Sequence, residues 1–158
     1  YSKYNNVYLI SNLPYNMSLK IIYKLLSYNE NIKDMVLMVQ KEVAEKLQYK
    51  KNYKMNKHNF VINSVSDYKI IFNISNKVFY PKPKINSSVI KITPKKKLSF
   101  ELKNLLNFSH NIFSQKRKKI SNLLKFKYDI KKNLDEDIIS QRAENLNLNQ
   151  LIKLFNIF

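Results

Sequence analysis

Apolar residues in this chain keep two different periods, and the change of period divides it. Up to about Lys95, short apolar runs alternate with helical spacings; beyond it only the helical spacing continues. Val7-Tyr8-Leu9-Ile10 predicts a buried strand over Val7 to Ser11, ended by the turn formers Asn12, Pro14 and Asn16. Ser18 stands before Leu19, Ile22, Leu25 and Leu26, whose spacing of three and four predicts a helix with one apolar face and Ser18 as its cap. Met35 to Val39 predicts a second strand, continued by a helix over Lys41 to Leu47. Gln48 to Asn59 is rich in lysine and asparagine with no apolar period, which predicts an exposed loop. Phe60 to Tyr68 fits either element, whereas Lys69 to Ile74 and Ser88 to Ile92 are β-rich and are expected to pair antiparallel.

The run Lys95-Lys96-Lys97 marks the boundary between an expected first domain, residues 1–95, and a small helical second one, residues 96–158. Leu102, Leu105, Leu106, Ile112 and Phe113 keep helical spacing, as do Ile120, Leu123 and Leu124, and then Leu148, Leu151, Ile152 and Phe155. Ser114 precedes the basic run Gln115 to Lys119, so a helix is expected to start there, its cations and positive dipole end forming a phosphate seat. A solvated charged face is the plainer alternative for that run. Asp135-Glu136-Asp137 is expected to open the next helix, where negative charge is favoured.

Composition narrows the partners. A chain of 158 residues with 44% hydrophobic content buries one sizeable core and a small satellite domain. No apolar run approaches the roughly 18 residues of a membrane span, and no basic-then-apolar leader opens the chain. With no cysteine and only His58 and His110, disulfides and thiolate metal sites are excluded and a metal centre is not expected. The formal charge of +18, from 29 basic against 11 acidic residues, favours a polyanion such as nucleic acid. Abundant Lys, Asn and Ile also fit an AT-rich coding sequence, so part of that charge has no functional meaning. Arg117 and Arg142 are the arginines of the chain, and a planar guanidinium holds phosphate or carboxylate in a bidentate way that Lys cannot. Glycine is absent, so no Gly-rich cofactor loop lies within these residues. Because the chain starts at Tyr1, it is expected to be the C-terminal part of a longer protein.

Asn12-Leu13-Pro14-Tyr15 carries the clearest chemistry. An Asn side-chain oxygen and a Pro carbonyl both accept hydrogen bonds from an exocyclic amine, Pro adds no competing donor, and Tyr can stack on a planar ring. Amine methylation needs little else, because the nitrogen lone pair must only be freed from the ring and aimed at an electrophilic methyl group. The same residues also fit a strand, a Pro turn and a packed Tyr, and the tetrapeptide alone leaves both readings open. Pro81 and Pro83 force extended backbone on their neighbours and stiffen the segment that carries Phe79.

Five segments, in order, resemble the ribosomal RNA adenine dimethyltransferases. Asn12-Leu13-Pro14-Tyr15-Asn16 is similar to the family's catalytic motif, and Met38 to Leu47 to its next strand-to-helix junction. Phe79-Tyr80-Pro81-Lys82-Pro83-Lys84-Ile85-Asn86-Ser87-Ser88-Val89 resembles its Phe-x-Pro-x-Pro-Lys segment. Phe113 to Ile120 and Arg142-Ala143-Glu144-Asn145-Leu146 resemble two landmarks of its C-terminal domain. The resemblance implies an α/β fold: the C-terminal part of a Rossmann-like S-adenosylmethionine-dependent methyltransferase sheet, followed by a small all-helical domain. It implies dimethylation of N6 on two adjacent adenines near the 3′ end of small-subunit rRNA. Asn12, Leu13, Pro14, Tyr15 and Phe79 would form the catalytic site, with Phe79 on the adenine face opposite Tyr15 and Asn12 also touching the cofactor. Lys82, Lys84, Lys116, Arg117 and Lys118 would meet RNA. The implied partners are small-subunit rRNA and the pre-small ribosomal subunit, in the cytoplasm, for a monomer that uses neither metal nor membrane. Without the upstream cofactor loop, this portion alone is expected to be inactive.

Three alternatives share features of that reading: a non-catalytic RNA-binding or ribosome-assembly factor, a large-subunit rRNA methyltransferase of the antibiotic-resistance type, and a DNA adenine methylase. Large-subunit enzymes tend to carry Ile at the position of Leu13, and a DNA enzyme leaves the Phe79 and Arg117 segments unexplained. Ser11 and the stretch Asn56 to Asn59 stand where relatives have Gly, which puts the local loop geometry in question.

Overall fold

The computed structural model describes residues 6–51, 53–124 and 134–157. Strand β1 is Val7–Asn12, helix α1 Ser18–Leu26, β2 Ile32–Gln40, α2 Lys41–Leu47, α3 Lys57–Val65, β3 Ser66–Ile74 and β4 Ser87–Pro94. Helices α4 Leu102–Ser114, α5 Ile120–Leu123, α6 Glu136–Ile139 and α7 Leu148–Ile157 follow, with a 3-10 turn at Ala143–Asn145. The chain divides into two compact units, one of Tyr1–Gln48 with Val65–Ser99 and one of Tyr49–Ser64 with Phe100–Phe158. Among the described residues, no helix is long and apolar enough to cross a membrane.

The first unit is built on a sheet with strand order β1-β2-β4-β3. β1 runs parallel to β2, while β4 runs antiparallel to both β2 and β3, as the β-rich pair in the sequence predicts. Alternation along β2 sends Met35, Leu37 and Val39 to one fully buried face. Met35 lies opposite Ile92 and Leu37 opposite Ile90, cross-strand apolar pairs that each stabilise the sheet by about 0.2–1 kcal/mol. Ile22 and Leu26 of α1 and Val43, Ala44 and Leu47 of α2 complete the buried apolar set of these elements. Tyr68 donates from its hydroxyl to the Ala44 carbonyl at 2.7 Å, and burial holds that phenol above the usual tyrosine range.

Two local expectations are corrected here. The apolar run predicts a buried β1, yet burial alternates along it: Val7, Leu9 and Ser11 are half-buried, while Tyr8 and Ile10 are 62% and 83% exposed on the face that the described residues leave uncovered. Ser18 is the first helical residue and not the cap. Its buried hydroxyl turns back to the Tyr15 carbonyl at 3.3 Å, and Met17 holds the cap position without a side-chain bond.

The second unit is helical among its described residues, with an isolated bridge between Lys119 and Arg142. Helix α3 begins inside the stretch expected to be loop. Asn56 Oδ1 accepts from the His58 and Asn59 amides at 2.8 and 3.0 Å, and Asn59 Oδ1 accepts from the Asn56 amide at 2.8 Å, a reciprocal cap. The helix carries no apolar stripe because Asn59, Phe60, Val61, Ile62 and Ser64 are all buried, which is why periodicity left it ambiguous. The Phe60 ring lies 5.9 Å from Phe108 and 6.2 Å from Phe113, and Phe155 lies 5.3 Å from Phe108. A single cut near residue 95 would leave residues 49–64 with the sheet; this aromatic cluster joins them to the C-terminal helices instead.

Helix α4 runs through Ser114, so the helix expected to start there does not. Ser114 donates to the Asn111 carbonyl at 2.8 Å, Gln115 closes the helix, and the basic run forms an exposed turn before α5. Asp135 holds the cap position of α6, with Glu136 and Asp137 in its first turn, as predicted.

Two measurements on the intact protein test this packing. Phe60→Ala should destabilise it by about 3–5 kcal/mol in denaturant unfolding, through lost burial and the cavity left behind; a loss below about 1 kcal/mol would show that the cluster is not a core. Asp34 accepts from the Thr93 hydroxyl and pairs with Lys91 at 3.0 Å, and these partners, Thr93 first, hold its carboxyl below the unfolded value of 3.8 against an opposing effect of burial. Its contribution is therefore present above about pH 4 and lost as pH falls through the lower folded value. The stability gap between the parent and Asp34→Asn should shrink on acidification from neutral pH to about pH 3; a gap independent of pH would contradict the assignment.

Candidate active site

The motif Asn12-Leu13-Pro14-Tyr15 leaves the sheet in steps that its residue types dictate. The Leu13 amide still donates to the Met38 carbonyl at 3.1 Å, and the Leu13 side chain is buried at 5% exposure, which anchors the exit. Pro14 has no N–H and ends the ladder. Its carbonyl accepts from the Met17 amide at 3.1 Å, forming the turn into α1. Asn12 alternates to the exposed side, and among the described residues no partner is found for its side-chain amide. Tyr15 is pinned through its hydroxyl, 2.7 Å from Oγ of the fully buried Ser87 at the start of β4.

The segment between β3 and β4 is held by asparagines. Asn76 donates from its backbone to Asn86 Oδ1 at 2.9 Å and from Nδ2 to the Pro83 carbonyl at 3.0 Å, and the Asn86 carbonyl accepts from the Lys41 amide at 3.0 Å. The Tyr80–Pro81 peptide is cis. Phe79 is half-buried in extended backbone, while Tyr80 is wholly exposed.

A cleft of about 340 Å³ opens at the carboxyl end of β1. Asn12, Leu13, Pro14 and Tyr15 line one part of it; Phe79, Tyr80 and Pro81 come from the β3–β4 segment, with Met38 from β2. The five residues that the sequence singles out for catalysis thus share one cavity. Tyr80, Met38 and the supporting Ser87 are additional. An aromatic residue directly before Pro81 is the signal for Tyr80; nothing local points to Met38, which β2 pairing brings opposite Asn12.

The basic residues lie elsewhere. Lys82 and Lys84 are exposed on the same segment without lining the cleft, and Lys84 borders a second concavity of about 500 Å³ with Lys41, Glu42 and Glu45. Lys116, Arg117 and Lys118 are exposed in the turn after α4, in the helical unit. Among the described residues, no group of three or more His, Cys, Asp or Glu side chains is placed to hold a metal ion. For an adenosyl cofactor, the exposed, unengaged amide of Asn12 at the strand tip fits a polar contact. A close-approach glycine loop cannot come from a chain without glycine.

Comparison with known proteins gives a consistent result. The family described as ribosomal RNA adenine dimethylase matches residues 1–158. Relatives named ribosomal RNA small subunit methyltransferase A include those of Malacoplasma penetrans, 44% identical over 74% of this chain and 43% of the relative, and Borreliella burgdorferi, 34% identical over 94% and 54%. That of Ureaplasma parvum is 35% identical over 98% of this chain and 58% of its own length. The chain spans about half the length of the curated relatives it matches. Among solved structures, a dimethyladenosine transferase from Plasmodium falciparum aligns with a TM-score of 0.79 at 24% identity, over 98% of this chain and 66% of that one. The 23S rRNA methyltransferase ErmE aligns at 0.71 and 16% identity, over 97% and 65%. These two likenesses concern the fold, and with the reversed β4 they bear out the Rossmann-like methyltransferase sheet expected from the sequence. On the family match along its whole length and on identities above 30% to relatives that cover nearly all of it, the chain belongs to the ribosomal RNA adenine dimethylase family.

Proposed function

We propose that this chain is the adenine-binding part of an enzyme that dimethylates N6 of two adjacent adenines near the 3′ end of small-subunit rRNA. The observation that carries the reading is the shared cleft of Tyr15 and Phe79 beside Asn12 and the Pro14 carbonyl. S-adenosylmethionine supplies the electrophilic methyl group when bound, and Asn12 is the residue of this chain suited to touch it. An adenine that has left its stack enters the cleft at a cost of a few kcal/mol, least for a loop base. Tyr15 and Phe79 hold its two faces. Asn12 Oδ1 accepts one hydrogen of the amino group, and the Pro14 carbonyl, with one lone pair on the Met17 amide, has a second for the other. These bonds turn the nitrogen lone pair out of conjugation and aim it, so catalysis is mostly positioning.

Lys82 and Lys84, on the segment that carries Phe79, meet phosphates next to the cleft, and Lys116, Arg117 and Lys118 add a further contact from the helical unit. The partner is small-subunit rRNA within the pre-small ribosomal subunit, in the cytoplasm, and the enzyme acts as a monomer. Leu13 and the names of the relatives favour the small subunit over the large one.

In the intact protein, Asn12→Ala should lower methylation of small subunits by about a hundredfold or more and leave RNA affinity within about twofold; unchanged turnover would refute the role of Asn12. Phe79→Ala should reduce kcat/KM by about tenfold or more through lost stacking, and Phe79→Tyr should retain most activity. Equal activity in both Phe79 variants would remove Phe79 from the site.

A further inference from the structure

The lysine-rich stretch after α2 has the composition of a solvated connector, but the structure makes it one wall of a cleft of about 590 Å³ in the helical unit. The Lys54 ammonium is 2.6 Å from Glu144 Oε1, and the Met55 amide donates to the Glu144 carbonyl at 2.8 Å, so the wall is tied to the segment before α7. Tyr49, Lys51 and Tyr53 line the cleft from this wall, and Asn145 lines it from the other. Tyr53 is 70% exposed, with the Lys50 ammonium 5.6 Å from its ring centre.

Charge selects the occupant. Residues 49–57 hold Lys50, Lys51, Lys54 and Lys57 with no acidic residue, and Glu144, the acid lining the cleft, is paired with Lys54. Exposed tyrosine interleaved with lysine is suited to an unpaired nucleotide, whose base stacks on the ring while its phosphate meets an ammonium. The Asn145 amide offers both a donor and an acceptor to a base edge. We propose that this cleft binds an unpaired nucleotide of the RNA substrate, its base on Tyr53 and its phosphate at Lys51. The proposal rests on the RNA-modifying reading above and adds a contact outside the adenine cleft.

Binding of a fluorescein-labelled single-stranded RNA of about twelve nucleotides to the intact protein, read by anisotropy, tests it. Tyr53→Ala should weaken binding about tenfold and Tyr53→Phe should retain it. Lys51→Ala should lower the slope of log affinity against log salt by about 0.7, one phosphate contact to a single strand. Methylation turnover at saturating small subunits should stay at the parent value in all three variants. Acetylation footprinting needs no substitution: RNA should slow modification of Lys50 and Lys51 more than that of exposed Lys103. Unchanged affinity, salt slope and footprint in a parent protein that methylates and binds RNA would overturn this cleft alone. A parent that does neither would overturn both readings. Protection that grows with protein concentration without RNA would assign the cleft to a second copy of the chain and overturn the proposal.

Discussion

The reversed strand β4, set between β2 and β3, is the constraint on which the rest of the site depends. Because β4 runs antiparallel to both neighbours, its first residue, Ser87, lies opposite Gln40 at the end of β2 and Ile74 at the end of β3. The segment that enters β4 must therefore pass the same end of the sheet at which β1 delivers Asn12 to Tyr15. The hydroxyl contact of Tyr15 with Ser87 joins these two routes directly. Side chains distant in sequence meet because of register, and the apolar pairs Met35–Ile92 and Leu37–Ile90 hold that register.

The chemistry of the cleft follows from what each backbone position leaves available. Leu13 is consumed by the core and the sheet, Pro14 ends the ladder, and Asn12, on the exposed side, has no side-chain partner among the described residues. Rigidity comes from short polar ties: the Asn76 and Asn86 bonds shape the segment that carries Phe79. A site that works by positioning needs such ties, since an error of about 1 Å in placement can lower a rate by about a hundredfold.

Much of the fold was legible because its elements carry strong periods. Lys41 to Leu47, the β3–β4 pair and helix α4 appear where their apolar positions put them. Failures came where a side chain served a tertiary partner. Ser18 reads as a cap, but its hydroxyl is drawn back to Tyr15. Ser114 reads as a helix start, but the apolar face through Ile112 and Phe113 carries α4 up to it, and Ser114 is its last residue. Helix α3 is buried at Asn59 to Ile62 and again at Ser64 and Val65, on more than one face, and so has no stripe to detect. The glycine-free loops were a concern at Ser11 and at Asn56 to Asn59, and neither needs a left-handed residue. Ser11 is plain strand, and Asn56 and Asn59 cap each other, while left-handed backbone falls at Asn6 and Lys97 with φ of 65° and 52°. The motif Asn12-Leu13-Pro14-Tyr15 was visible as candidate chemistry. Its partners Met38 and Ser87 were not, because strand register brings them there and no local spacing encodes it, whereas the aromatic residue directly before Pro81 was a signal for Tyr80.

The most direct test of the account is the structure of the intact protein bound to a short adenine-containing RNA and a non-reactive cofactor analogue. The account predicts one adenine ring between Tyr15 and Phe79, with its amino nitrogen in hydrogen-bonding reach of Asn12 Oδ1 and the Pro14 carbonyl. An adenine seated elsewhere while those two rings face solvent, or a base that enters the cleft with its amino group turned away from Asn12, would contradict it.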